Sequence, residues 1–576
     1  MSTTIGGVRI VDMPDLGTFN DSSSVVGERA GSGRFSAPAL SSYIADALAD
    51  PTAANVRDYG AAGDGATDDT AAIQAAITTG RRVRIPAGIY RITAQLACAT
   101  PGQSIVGDGR MSTFIRVTVP GAGFSTAIFA VTNPYAAGQD AGHYFANFTL
   151  SMTQPDTAVR ASLNSYPPAF RLSGATRVQM ENVRIVGGID GIYMDQNCGG
   201  FRGLGLDLAC FGRNIYIDGN LDVTSFTDCE VWPFSERGIM TLNQRQLFYD
   251  ANCYGILSLR NDYLDWKGGL FLCGRAAVFQ NQSSGSQPGP TYGHFTGTGF
   301  DTFGGLEVAA GTILTDNCTF SVGGDATQAK NAVLHSGGSV TVRGAKFFVG
   351  SNPVANQTLV YSTGSSGAAA LTVEGCNFET GTNDVRSVYV GAGNDFLSVC
   401  VLGNMLNRLG GTSYTRAMIE LAGGNGAIAN NVALDPTGSV AGAAPWLGID
   451  AGAGPYMVRG NMVNGWATTV VNNVIASASF ITLPAVVGDA MPEVIITGTT
   501  TITGMTYAKN IGTNAAYGGL TVTLQFQSAL TVTSGAVGSA GAFLLNGRSN
   551  FAAVANSSLT VQLTTQGNWQ EIGRCL

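Results

Sequence analysis

Eight carboxylates gather between Asp218 and Trp266, in a chain of which only 12% is charged. They are Asp218, Asp222, Asp228, Glu230, Glu236, Asp250, Asp262 and Asp265. Trp232, Phe234, Tyr249, Tyr254, Tyr263 and Trp266 are interleaved with them, as are Arg237 and Arg245. Aromatic faces stack on the C–H surfaces of sugar rings, and paired carboxylates do acid/base work on glycosidic bonds. The mixture points to carbohydrate. Trp232, Glu236, Arg237, Tyr249, Tyr254, Asp262, Tyr263, Asp265 and Trp266 are the expected substrate contacts. No nucleophile elbow, P-loop or CxxC pair offers rival chemistry, and His143, His294 and His335 lie far apart. That pattern implies neither a metal nor a cofactor.

The candidates for catalysis are Asp228, Glu230 and Asp250, and a repeat predicts their geometry. A small or polar residue, then Asn, Cys or Ala, then an apolar strand recurs along the chain. It occurs at Ala146-Asn147-Phe148, Asp228-Cys229-Glu230, Asn252-Cys253-Tyr254, Leu272-Cys273-Gly274 and Asn317-Cys318-Thr319, and continues to Gly460-Asn461-Met462. From position 318 its steps are 27, 31, 28, 27 and 30 residues, and from 229 through 253 to 273 they are 24 and 20. Periods of this length belong to solenoids, one coil per unit, with Cys or Asn stacked in internal ladders. If Cys229 and Cys253 point inward, strand alternation turns Asp228, Glu230 and Tyr254 outward, with Asp250 in the same parity. Asp228 and Glu230 are then about 6.6 Å apart, and Asp250 lies one coil on at roughly 8 Å from Asp228. Inverting glycosidases separate their carboxylates by about 6.5–9.5 Å and retaining ones by about 5–5.5 Å. The expectation is that two of the three form an acid/base pair; the competing reading is solvated acids on a solenoid face. A lyase would instead take Tyr249 or Tyr254 as base and Arg237 or Arg245 to neutralise a uronate. Loops Asn133–Asp140 and Gln154–Pro168 are long enough to wall a groove, with Arg160 and Tyr166 in reach of a glycan.

The elements that position these groups begin between Asn55 and Tyr90. Ala61-Ala62-Gly63-Asp64-Gly65 reads as a turn. Thr67, Asp68 and Asp69 offer oxygens to a helix start, Ile73 and Ile77 form its apolar stripe, and Gly80 ends it. Val83, Ile85 and Pro86-Ala87-Gly88 then lead into a strand. The run Gly63–Ile77, with Pro86–Tyr90, resembles the opening of the pectate-lyase-like family of right-handed parallel β-helices. That family is common in phage tailspikes and in secreted polysaccharide-degrading enzymes. The resemblance implies an all-β fold, a right-handed parallel β-helix of about a dozen coils by repeat counting. It implies a homotrimeric tailspike that recognises and cleaves a bacterial capsular, exo- or lipopolysaccharide, as an endo-glycoside hydrolase ahead of a lyase. A non-catalytic fibre or adhesin is the alternative of a different class, and a structural bacterial β-helix protein is a third. Asp64, Asp68 and Asp69 are read as turn and cap residues, so the motif identifies the scaffold and sends the search for chemistry downstream.

Three segments are expected. Residues 1–52 form a particle-attachment arm and neck, joining the phage tail or baseplate; residues 53–474 form the β-helix. Residues 475–576, where alternating strands such as 520–526 replace the repeat, form a C-terminal β-sandwich-like domain for trimerisation or carbohydrate binding. The 576 residues include 78 glycines and carry a formal charge of −8. That balance argues against nucleic acid as a partner. No apolar run is long enough to span a bilayer, and no signal peptide precedes the motif. The chain is therefore expected to be made in the host cytoplasm and to act outside the cell as part of a virion.

Overall fold

The computed structural model describes residues 52–118, 120–121, 123–132, 141–234, 240–281, 291–302, 304–322, 331–349, 357–381, 384–394, 396–408, 416–434, 446–449, 456–464, 500–507, 521–537, 539 and 541–575, with the backbone of short strands within 4–35 and 473–497. Loop Asn133–Asp140 and the residues Glu236 and Arg237 lie outside them. So does the expected arm, apart from paired strand fragments such as Thr4–Ile5 with Val8–Arg9.

The coils stack as a right-handed parallel β-helix. Each contributes a strand to three parallel sheets, here A, B and C. One coil places Arg202–Leu204 in A, Asp207–Ala209 in B and the start of Arg213–Thr227 in C. The end of that last strand opens the next coil in A, followed by Glu230–Val231 in B and the start of Tyr254–Lys267 in C. Strands in successive coils pair in register, so a residue meets its equivalent in the coil above and below about 4.8 Å away.

The corner from A to B keeps this register. One residue there adopts a left-handed conformation in coil after coil, from Asn147 (φ 62°) through Asp228 (φ 50°) and Gly344 (φ 59°) to Gly460 (φ 62°). Asn, Asp and Gly tolerate that conformation, and they alone occupy the corner. The next side chain points inward. Near the C-terminal end it is Asn404, Asn431 and Asn461, each passing a hydrogen bond to the next at 2.9 Å. The same amides bond buried backbone: Asn404 Nδ2 donates to Val373 O, and Asn431 Nδ2 to Val401 O. Inside sheet B, Phe300, Phe320, Phe347 and Phe378 stack ring on ring at 4.6, 4.9 and 4.5 Å, the spacing of the rungs.

The sequence repeat needs one correction. Cys229 and Cys318 sit at the A–B corner, but Cys253 and Cys273 lie at the B–C corner, where Cys253 Sγ contacts Cys210 O. The coil after Cys229 reaches the A–B corner at Gly268-Gly269, a step of 269 − 229 = 40 residues, because it carries the helix Leu242–Phe248 as an insertion. Gly269 shows no Asn, Cys or Ala, so the pattern passes over it. The cysteines with Cα inside the solenoid behave as small apolar residues: burial pushes the thiols of Cys98, Cys198, Cys229 and Cys273 up to about 12.

The opening motif starts and covers the solenoid. Residues Asp64–Asp68 run as an irregular edge strand beside Gly88–Arg91, in place of the expected free turn. Asp64 accepts from the backbone N–H of Thr67 and Ala66, which holds its carboxyl down to about 2. Asp68 caps Thr70, whereas Asp69, buried, turns back to bond the N–H groups of Ala62 and Gly63. Gly63 is required: a Cβ there would lie 2.9 Å from the buried Tyr90 ring. The helix Thr70–Thr78 buries Ile73, Ala76 and Ile77 over the open end of the first coils.

At the other end, a six-stranded mixed sheet contains the parallel pairs Asn473–Ile475 with Val494–Thr497 and the antiparallel pairs Thr521–Phe526, Ser558–Leu563 and Trp569–Cys575. Val486–Val487 still pairs with the solenoid strand Tyr456–Arg459, so the two units interleave between 473 and 487 instead of changing over at one residue.

His143, fully buried beside Phe145, has no hydrogen-bond partner on either ring nitrogen among the described residues. Burial holds its pKa down to about 4, from an ordinary 6.5. Unfolded chains take up this proton below about pH 6.5 while the native ring stays neutral, so stability is intact above that pH and is lost as pH falls toward 4, by about 3 kcal/mol. His143→Phe should abolish that part of the acid sensitivity, measured as the change in unfolding temperature between pH 7 and pH 4.

Candidate active site

The outward positions of sheet B form a continuous row: Phe114, Thr149, Arg184, Asp207, Glu230 and Leu270, one per rung. Three consecutive rungs carry charge. Asp207 is buried, with Oδ2 2.6 Å from Arg184 Nε and Oδ1 accepting from Trp232 Nε1 at 3.1 Å. Glu230 follows on the next rung, half-exposed, with its carboxylate free of hydrogen bonds among the described residues. Partial burial and then the neighbouring charge of Asp207 push its pKa upward, against the smaller opposite pull of Arg110 and Arg184. A carboxyl pushed toward its acid form, one rung from a carboxylate paired with arginine, is an arrangement that suits an acid catalyst.

A cavity of about 340 Å³ opens over the same sheet. Phe114, Arg116, Ser151 and Arg184 form its floor, and Gln154 and Gln244 its wall. The wall is two insertions at the B–C corner, loop 153–169 and the segment 240–253. Thr241 and Gln244 close a capping box on the helix Leu242–Phe248, and Gln244 Nε2 donates to Pro155 O at 2.8 Å. Thr241 and Asn243 both bond Asp156 at 2.6 and 3.0 Å. Arg160 fastens the insertions together: it pairs with both oxygens of Asp250 at 2.6 and 3.0 Å and donates to the carbonyls of Phe211 and Leu247. Past Glu230, Trp232 and Phe234 meet edge to face at 6.2 Å; Phe234 is 39% exposed, with the Arg245 guanidinium 4.6 Å over its ring.

The structure separates the expected site residues. Glu230 and Trp232 lie together on sheet B. Asp228 is exposed on the A–B corner, leaning over Gly268 of the next coil. Asp250 is not on a strand one coil above Asp228, because the repeat step through Cys253 joined two different corners; it follows the inserted helix and is held by Arg160. Tyr249 beside it packs against the core. Trp266 is not a substrate contact: it is fully buried and stacks between Phe226 and Phe271. Tyr254 lies on sheet C under the Arg275 guanidinium, 4.7 Å from its ring centre. Asp262 pairs with Arg260 at 2.6 Å. Tyr263 and Asp265 face out from sheet A, Tyr263 beside His294 and Asp265 paired with Lys267 at 2.7 Å. Tyr166 is buried and donates to Thr153 O. Asp207, Arg184, Phe114 and Arg116 were missed. Asp207 stands 230 − 207 = 23 residues before Glu230, at the same place in its coil; Gly205-Leu206 is its corner, and that phrase lacks the Asn, Cys or Ala that marks the others.

Residues 53–233 match the family model described as rhamnogalacturonase A/epimerase, pectate lyase-like. The chain carries a pectate-lyase-like domain. This domain holds sheet B up to Glu230 and the floor of the cavity. Mannuronan C5-epimerase AlgE3 of Azotobacter vinelandii is 31% identical over 150 residues, 23% of this chain and 8% of that protein. The pre-neck appendage protein of Bacillus phage B103 is 25% identical over 215 residues, 36% of this chain and 23% of that protein. The chain thus spans a small part of the curated relatives it matches. Among solved structures, the catalytic unit of a GH87 α-1,3-glucanase from Streptomyces thermodiastaticus aligns with TM-score 0.47 at 16% identity, covering 73% of this chain and 70% of that one. Tailspike protein 3 of bacteriophage CBA120 aligns with TM-score 0.39 at 12% identity, covering 82% and 65%.

Breaking the buried pair should be costly. Arg184→Met leaves the Asp207 carboxylate buried without its cation, and should lower stability by about 3–5 kcal/mol. Denaturant unfolding checks this, and Arg184→Met with Asp207→Leu should recover most of the loss.

Proposed function

We propose that the protein is a phage tailspike that binds and cleaves a bacterial surface polysaccharide in the sheet B groove. The observation that carries the reading is Glu230: a half-buried carboxyl with a raised pKa, one rung from the arginine-paired Asp207 and two positions before the part-buried Trp232. Glu230 donates the proton to the departing glycosidic oxygen. Asp207, held by Arg184 and Trp232, tightens the hold of Glu230 on its proton. Asp207 is too deeply buried to attack the ring itself. Asp228, the exposed carboxylate two positions before Glu230, is assigned the activation of water. That gives an endo-glycoside hydrolase. The pectate-lyase-like match and the similarity to a phage appendage protein support the substrate class and the virion setting. Attachment through residues 1–52, trimerisation, and a sugar-binding or assembly role for residues 475–576 belong to the same proposal.

Glu230→Gln should lower depolymerisation of a cleaved capsule by about 10²–10⁴-fold while glycan binding persists. The activity of the native protein should fall as pH rises through the raised Glu230 value, because the acid form is then lost. Asp207→Asn should move that fall to lower pH, since it removes a charge that keeps the proton on. New reducing ends without an ultraviolet-absorbing double bond identify hydrolysis; an unsaturated product, or full activity in Glu230→Gln, overturns the assignment.

A further inference from the structure

Most polar side chains in the groove are already spoken for. Arg184 is taken by Asp207 and contacts Met111 Sδ at 3.3 Å. Gln154 Nε2 donates to the carbonyls of Asn164 and Gly187, and its oxygen accepts from Asn164 N. Gln244 is shared between Thr241 and the Gln154–Pro155 backbone. Arg116 is different. It lines the cavity, half-buried, and its guanidinium has no hydrogen bond or ion pair among the described residues. Ser151, its register partner on the next rung, also has a hydroxyl without a partner there. Phe114 sits two positions before Arg116 on the same strand, and so on the same face. A half-buried guanidinium lining a cavity, with no anion beside it among the described residues, is open to an anionic ligand. The guanidinium fork matches carboxylate geometry with two parallel hydrogen bonds.

We infer that the groove takes an acidic polysaccharide, whose carboxylate-bearing sugar docks on Arg116 and Ser151 with its ring against Phe114. This rests on the reading of sheet B as the glycan groove. The row Phe114, Thr149, Arg184, Asp207 and Glu230 spans four rung steps, so the acidic sugar sits about 19 Å from the scissile bond. The anionic unit therefore sets register and selectivity several sugars away from the reaction, and Arg116 is a specificity residue with no part in proton transfer.

The test uses the full chain carrying Glu230→Gln, so that binding is read without cleavage. It is applied to an array of purified bacterial capsular polysaccharides, uronate-containing and neutral. Each bound polysaccharide is tested again after chemical reduction of its carboxyl groups to alcohols. The expected result is binding confined to uronate-containing polysaccharides, weakened about tenfold or more by carboxyl reduction. Arg116→Gln should weaken the native polysaccharide equally and make reduction harmless, while Arg116→Lys should retain most of the binding. Equal unfolding temperatures of the variants exclude misfolding as the cause. Binding of neutral polysaccharides with no effect of Arg116→Gln overturns the inference, as does a reduction effect of the same size in Arg116→Gln. Absence of binding to every polysaccharide overturns it as well. Undiminished cleavage by Glu230→Gln with intact Arg116 dependence sinks the catalytic assignment alone and leaves the acidic-glycan site standing.

Discussion

Everything in this molecule depends on in-register stacking at the rung spacing. A parallel solenoid buries its interior only if each coil returns the chain to the same angular position, and the A–B corner is where that return is enforced. One left-handed residue per coil, from Asn147 to Gly460, turns the chain without adding length. The buried neighbours then stack like on like: amide on amide at Asn404, Asn431 and Asn461, ring on ring at Phe320, Phe347 and Phe378. The same constraint builds the site. Arg184, Asp207 and Glu230 are far from adjacent in sequence, yet stacking sets them side by side on one face, so electrostatic coupling between them is a by-product of the fold's period.

The scaffold was legible because its rules are local. Gly63, Asp68, Ile73 and Ile77 announce the covering helix by turn chemistry and spacing, and the Asn/Cys corner phrase betrays the coil length wherever the coil is short. The site was legible only in part. Glu230 and Trp232 stood out as an acid and an aromatic close to an inward cysteine, and alternation placed Glu230 on the outer face, where the structure has it. The rest failed where alternation was carried across a corner. Cys253 looks like Cys229 in sequence, but a helix-bearing insertion separates them, so the repeat slid from one corner to another and took Asp250 with it. Trp266 reads like any tryptophan in an acidic window; what decides its fate is that Leu264 and Trp266 share the inward parity of their strand.

Asp207 and Arg116 were invisible for another reason. Neither stands in a run of similar residues, and each has ordinary neighbours. Their meaning lies in what faces them from adjacent coils: for Asp207 an arginine and an indole, for Arg116 a serine and another arginine in register, with no anion among the described residues. A pattern along the chain carries no record of an unmet charge, because that is a property of the assembled surface.

The Arg160 fastening has a wider implication. In a stack where each coil touches only its neighbours, a fluctuation that frays one coil is felt one step away and then dies out. Arg160 breaks that rule. From a loop on one coil it grips the carbonyl of Phe211 and the Leu247–Asp250 segment, which belong to coils farther along the stack. The walls of the cavity are thereby tied beyond nearest-neighbour coils, so this stretch of the solenoid should open as one block and be stiffer than a stack joined only rung to rung.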